Sequence, residues 1–130
     1  MRSFDRFGKR AKYLVIYIME AHFVEESQDP ETGEKRLDGW PIGTCWRFPQ
    51  PRTLEQRLAH ARKFRELFSF PPELEFVVDT IDNSFNRQYA AWPDSAYMMH
   101  KGKLHYRSQL EDGGFRSAVF TKHINALLEE

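Results

Sequence analysis

This sequence of 130 residues is poor in the features that assign a chain to several common classes. It has a single cysteine, Cys45, so no disulfide can form within the chain. No apolar run approaches the roughly 18 residues of a membrane-spanning helix, and the first residues lack the apolar segment of a signal peptide. Nineteen basic residues balance nineteen acidic ones, so bulk charge does not favour a nucleic-acid partner. We therefore expect a chain without a membrane segment, cytoplasmic by default.

The composition is that of a folded domain. Hydrophobic residues make up 41% of the chain and aromatic residues 15%, which favours a packed core over disorder. The length predicts one domain over residues 1–130. The five histidines have no zinc-type spacing, so we expect no metal site.

The most informative segment is an apolar run over residues 13–18 that is followed by Glu20 and His22. Its β-branched and aromatic residues are typical of a strand buried on both faces. In open α/β sheets, ligands bind at the carboxyl ends of strands. Two residues apart in an extended segment, Glu20 and His22 would project toward the same side. The alternative is that both side chains only bind loop backbone.

The remaining patterns predict an alternation of helices and strands. We expect helices over residues 3–12, 53–70, 84–91 and 116–128, strands over 13–18 and 74–78, a hairpin over 96–107, and a surface loop over 23–37 with its turn at 30–33. Thr53 and Gln56 form a capping box. This order predicts an α/β, thioredoxin-like fold, in the peroxiredoxin-like variant with an inserted α-β unit. The first central strand of that fold is missing from the order.

Several separated segments resemble the iodothyronine deiodinases and their microbial relatives. The similarity covers YIMEAH at 17–22, DGW at 38–40, RTLEQR at 52–57 and VDTIDNSFNRQYAAWPD at 78–94, in the family's order. The resemblance implies a thioredoxin fold and reductive removal of iodine from an aromatic ring. It also implies a selenocysteine or cysteine nucleophile, a small halogenated aromatic substrate, and no cofactor beyond an external thiol reductant.

The same resemblance implies roles for five residues. Glu20 and His22 correspond to a proton-relay pair beside the nucleophile, and a carboxylate near an imidazole can set its tautomer. Tyr17 and Trp40 are plausible walls for an aromatic substrate, although Trp40 could equally belong to the core. Pro93, just before the hairpin, is a candidate cis-proline.

The nucleophile itself is not among these residues. The opening residues 1–7 resemble the start of the family's first helix, directly after its selenocysteine-Pro-Pro-Phe segment. We therefore expect the first strand and the nucleophile to lie upstream of Met1, with a UGA selenocysteine codon read as a stop. The competing account is a genuinely short product. Cys45 is not near a predicted helix N-terminus, so a buried or incidental thiol is the better interpretation.

Other departures from the family pattern concern the substrate. Met19 stands where many members have a first Glu, Leu37 replaces a Ser, and Pro51 replaces a relay His. An insertion also separates His22 from Asp38. These changes favour a different halogenated aromatic, a peroxide or a thiol as substrate. A non-catalytic thioredoxin-like interaction module is the alternative. Without the central strand, two sheet edges would stay open, and a homodimer could form through them.

Overall fold

The computed structural model describes residues 2–39, 47–108 and 115–129. These residues form a mixed α/β structure in the order α1 (Arg2–Phe7), β1 (Leu14–Tyr17), β2 (Val24–Gln28), β3 (Lys35–Gly39), α2 (Leu54–Leu67), β4 (Glu75–Val78), α3 (Ser84–Tyr89), β5 (Tyr97–His100), β6 (Lys103–Arg107) and α4 (Ser117–Glu129). None of the helices in these ranges has the length and apolar character needed to cross a bilayer.

Within these ranges the strands form three separate two-stranded sheets. β1 and β4 pair in parallel, with Tyr17 opposite Val78 at their carboxyl ends. β2 pairs with β3, and β5 with β6, in antiparallel hairpins. Among the described residues, β1 therefore pairs only with β4, and β5 only with β6. In the part of the chain that the structure describes, one edge of each strand therefore has no partner strand.

The prediction of a surface loop over residues 23–37 is wrong, because β2 and β3 lie there as a hairpin. Their residues are mostly polar and lack the apolar alternation that predicts a strand. The predicted turn is in the right place. Asp29 Oδ1 accepts hydrogen bonds from the backbone N–H groups of Glu31 and Thr32, and Gly33 has φ of 72°. Arg36 of β3 pairs with the Asp29 carboxylate across the hairpin.

The prediction that β1 is buried on both faces is also wrong. One face carries Tyr17, whose ring packs 5.6 Å from that of Phe64 in α2. Leu14 and Val77 lie on the opposite face of the β1–β4 sheet and are 48% and 39% exposed. At these positions the second face is uncovered.

Helix α2 covers the first face and begins as predicted. The Thr53 hydroxyl accepts from the Gln56 N–H, and the Gln56 side chain accepts from the Thr53 N–H, so the capping box is confirmed. The buried face of α2 contains Arg57 and Ala61. Leu54 and Phe68, which the helical pattern assigns to the apolar face, are 43% and 57% exposed. The inward face of α2 is therefore centred on a cationic residue.

A second group of apolar side chains joins α1, β5 and α4. Its buried members are Phe7, Met98, Ile124 and Leu127. Within α4, Ile124 and Leu127 are buried, whereas Val119 is 38% exposed. The described residues thus form one group of packed side chains between α2 and the β1–β4 sheet, and another among α1, α4 and the β5–β6 hairpin.

Candidate functional site

A buried carboxylate lies just beyond the carboxyl end of β1. Glu20 is only 8% exposed. Its Oε2 lies 3.9 Å from Nε of Arg57, and its Oε1 lies 3.5 Å from Nδ1 of His60. Arg57 and His60 are three residues apart on α2, so their side chains leave the same face of the helix. The carboxylate therefore faces a guanidinium and an imidazole from one helix.

The Arg57 guanidinium connects two strand ends. The residue is 1% exposed, and its Nη1 donates to the backbone carbonyls of Thr80 at 2.5 Å and of Asp79 at 3.4 Å. Both carbonyls follow β4, whereas Glu20 follows β1. Charged residues are almost never fully buried unless they are paired. Arg57 therefore balances the charge of Glu20 and fixes the loop after β4 against it.

Asp79 orders the rest of that loop. Its buried carboxylate accepts from the backbone N–H groups of Thr80 at 2.9 Å, Phe85 at 2.9 Å and Asn86 at 3.0 Å. The last two belong to the first turn of α3, so Asp79 caps this helix. The helix predicted over residues 84–91 is therefore present, and it ends at Tyr89.

Tyr17 lies beside Glu20 and is itself buried. Burial raises the pKa of the Tyr17 phenol well above its ordinary value of 10.0, and the negative charge of Glu20 raises that pKa further. The phenol therefore stays protonated over the physiological pH range. Its hydroxyl is available as a proton donor next to the carboxylate.

The structure brings together two of the residues that the sequence singles out, Tyr17 and Glu20. His22 is half-buried and has contacts of its own. The chain is not extended between Glu20 and His22, because it bends at residue 19 and again at residues 21–22. The argument that the two side chains share one side of an extended segment therefore does not apply.

Pro93 and Trp40 are the remaining residues that the sequence predicts at the site. Pro93 follows a cis Trp92–Pro93 peptide bond and lies shortly before β5. Trp40, together with Cys45, lies outside the described residues.

Sequence reasoning missed Arg57 and His60. The helical pattern of α2 runs through apolar residues and assigns Arg57 to a solvated basic face. Arg57 lies one helical turn before Ala61, the most buried apolar residue of α2. This i, i+4 relation was the available signal for a buried cation.

The arrangement suits proton handling. Within residues 2–39, 47–108 and 115–129, no group of three or more His, Cys, Asp or Glu side chains could hold a metal ion. The Glu20 carboxylate instead faces one permanent cation, one imidazole and one phenol. Such a set can hold a negative charge in a buried position and pass protons along it.

Comparison with known proteins identifies the family. The family model for iodothyronine deiodinase matches residues 1–122. The chain is 34% identical over 106 residues to the type II iodothyronine deiodinase of Fundulus heteroclitus, covering 78% of this chain and 35% of that protein. It is 29% identical over 112 residues to the type I iodothyronine deiodinase of Xenopus laevis, covering 86% and 38%. It is 28% identical over 116 residues to the thyroxine 5-deiodinase of Ovis aries, covering 88% and 34%.

The chain therefore belongs to the iodothyronine deiodinase family, as its motifs predicted. Its relatives are oxidoreductases. The chain spans little more than a third of the length of these relatives.

Proposed function

We propose that residues 1–130 belong to the catalytic thioredoxin-like domain of a deiodinase-like oxidoreductase and lack its first strand and its nucleophile, so that these residues alone are inactive. The reaction of this oxidoreductase is reductive dehalogenation of an iodothyronine-type or other halogenated aromatic, or a related thiol or selenol redox reaction. An external thiol supplies the electrons, and no bound cofactor is required. The observation that carries this proposal is the buried Glu20 at the carboxyl end of β1, held by Arg57 and His60 beside the Tyr17 phenol.

The open strand edges support the thioredoxin-like assignment. A strand inserted between β1 and β5 would join the β1–β4 and β5–β6 sheets into one, because among the described residues β1 and β5 each have a free edge. Unpaired backbone N–H and C=O groups favour such pairing. If the strand runs parallel to β1, its carboxyl end lies beside Glu20. We propose that this strand carries the selenocysteine or cysteine nucleophile.

The chemistry gives each residue a role. The chalcogenolate attacks the halogen, the carbon–halogen bond breaks, and its electron pair stays on the ring carbon, which takes a proton. The thiol reductant then reduces the chalcogen–halogen bond, releases halide and is itself oxidised to a disulfide. We assign proton delivery to Glu20 and His22, and the Tyr17 hydroxyl lies beside Glu20. We assign substrate contacts to Tyr17 and Trp40, and a place at the active site to Pro93, which follows a cis peptide bond shortly before β5.

The test begins with the in-frame DNA upstream of Met1. We expect codons for a strand followed by UGA or a cysteine codon. The extended protein, with cysteine or selenocysteine at that position, should release iodide from iodinated phenols in the presence of a dithiol. Substitution of that nucleophile by serine should abolish the release. A genuine stop codon such as UAA close to Met1, with no such strand before it, would contradict the proposal.

The open edges also support a second candidate, a non-catalytic interaction module that pairs them with another chain or with its own copy. Exposed edges are templates for strand addition. Analytical ultracentrifugation separates the two candidates. A stable dimer of the 130-residue chain, with no halide release by any extended form, would favour the module.

A further inference from the structure

We propose that His60 is a positioning residue that exchanges a proton with Glu20 and connects this buried carboxylate to solvent. The inference rests on the proposed function, because Glu20 is the proton-delivering carboxylate there. It adds a residue on α2 that the motifs did not indicate.

The first argument is the contact itself. Nδ1 of His60 and Oε1 of Glu20 lie 3.5 Å apart, and both atoms are buried without another hydrogen-bond partner. A buried hydrogen-bond donor or acceptor without a partner destabilises the folded state, so a hydrogen bond between these two atoms is favourable for both. A normal N–H···O hydrogen bond between them requires a separation of about 3.2 Å or less.

The second argument compares the protic groups around Glu20. The described charged and titratable groups that face it are Tyr17 from β1 and Arg57 and His60 from α2. A guanidinium does not give up its proton in a protein, and burial raises the pKa of the Tyr17 phenol. An imidazole both takes and releases protons near neutral pH. Of these groups, His60 is therefore the one that can return a proton to Glu20.

The third argument is access to solvent. The His60 side chain is 13% exposed, compared with 5% for Glu20 and 2% for Arg57. The exposed surface belongs mainly to atoms other than Nδ1, because Nδ1 is buried. The ring of Phe48 packs 5.1 Å from the imidazole and limits its movement. When the ring takes a proton from solvent at Nε2, the resulting imidazolium passes its Nδ1 proton to Oε1 and is left as the other neutral tautomer.

The first test is nuclear magnetic resonance of the imidazole nitrogens in the full chain, with the His60 signals assigned by their loss in His60→Gln. At a pH where the ring is neutral, we expect the proton on Nδ1, directed at Glu20. The exposed His105 serves as the control and should carry its proton mainly on Nε2. A neutral His60 with its proton mainly on Nε2 would overturn the proposal.

The second test uses the extended protein that carries the nucleophile. We expect His60→Ala to lower kcat by up to about 100-fold, because Glu20 loses both its position and its proton supply. His60→Asn, whose amide nitrogen replaces Nδ1, should recover part of kcat but not the pH dependence of the wild type. His105→Asn should change neither. An unchanged pH profile in His60→Asn would overturn proton exchange.

These outcomes separate the two proposals. If the extended wild-type protein releases no halide, the proposed function fails. The nitrogen spectra still decide whether His60 donates to Glu20, because they do not depend on activity.

Discussion

Replacing Arg57 by methionine tests whether the buried ion pair organises the site. Methionine nearly matches the volume of the arginine stem but removes the guanidinium. Arg57 is 1% exposed and is the permanent cation beside Glu20, which is 8% exposed. The substitution therefore leaves a carboxylate buried without its charge partner, and it also removes the donor to the Thr80 carbonyl.

The structure sets the magnitude of this effect. Breaking a buried pair by removing one partner costs about 3–5 kcal/mol, much of it the penalty of the remaining buried charge. Glu20 keeps His60 as a second partner at 3.5 Å. We therefore expect Arg57→Met to lower the free energy of unfolding by about 3 kcal/mol, at the lower end of this range. Adding Glu20→Gln removes that residual charge. The double variant should therefore be less destabilised than the sum of the two single variants, by about 1–3 kcal/mol.

The assay is urea unfolding followed by far-ultraviolet circular dichroism, with all variants compared at one pH. Arg62→Met is the matched control, because Arg62 is an exposed residue of the same helix. Its free energy of unfolding should stay within about 0.5 kcal/mol of the wild type. If Arg57→Met also stayed within that margin, or if the double variant were simply additive, the ion pair would not organise the site.

Three further predictions concern the loop between β4 and α3 and the β2–β3 hairpin. Asp79→Ala should lower the free energy of unfolding by about 1–2 kcal/mol in thermal melts, because the first N–H groups of α3 lose their cap, and equal stability would refute this capping role. Gly39→Ala should destabilise the β2–β3 hairpin strongly, because the added Cβ would lie 2.1 Å from the Phe23 carbonyl oxygen. Gly33→Ala, where the Cβ meets open space at φ of 72°, should cost only about 1–2 kcal/mol of backbone strain; similar losses for the two variants would contradict the close approach. Backbone hydrogen bonds from residues 31 and 32 lower the pKa of Asp29 below its ordinary value of 3.8. The Asp29 carboxylate therefore stabilises the folded state fully above pH 3.8, and this stabilisation is lost as the pH falls through the lowered pKa. Asp29→Asn should therefore reduce the unfolding midpoint at neutral pH, and the difference should shrink below about pH 4; a difference that grew on acidification would refute the sign.

Much of the local structure could be predicted because its causes are local. The Thr53–Gln56 capping box, the turn at residues 30–33 and the β5–β6 hairpin each depend on residues that are close together in the chain. The β2–β3 hairpin escaped prediction because its residues are largely solvent-exposed. Its pairing depends on register and on the Arg36–Asp29 contact rather than on an apolar pattern.

The candidate site could be predicted only in part. Glu20 was recognisable from its place after an apolar strand, and the family motifs marked it independently. Its partners were missed, since they come from α2, far along the chain, and no local pattern shows which residue they face. The exposure of Leu14 was missed for a related reason, because an apolar run does not reveal whether anything covers its second face.

The sequence by itself determined the family, the order of most elements and the position of the carboxylate, because motifs, capping residues and hydrophobic periodicity act over short distances along the chain. The tertiary structure alone decided that Arg57 and His60 face Glu20 and that, within the described ranges, β1 pairs with β4 and β5 pairs with β6. The physical reason is burial. Whether a charge is paired in the interior or dissolved in water depends on which distant elements pack over it, and that packing is a property of the whole fold.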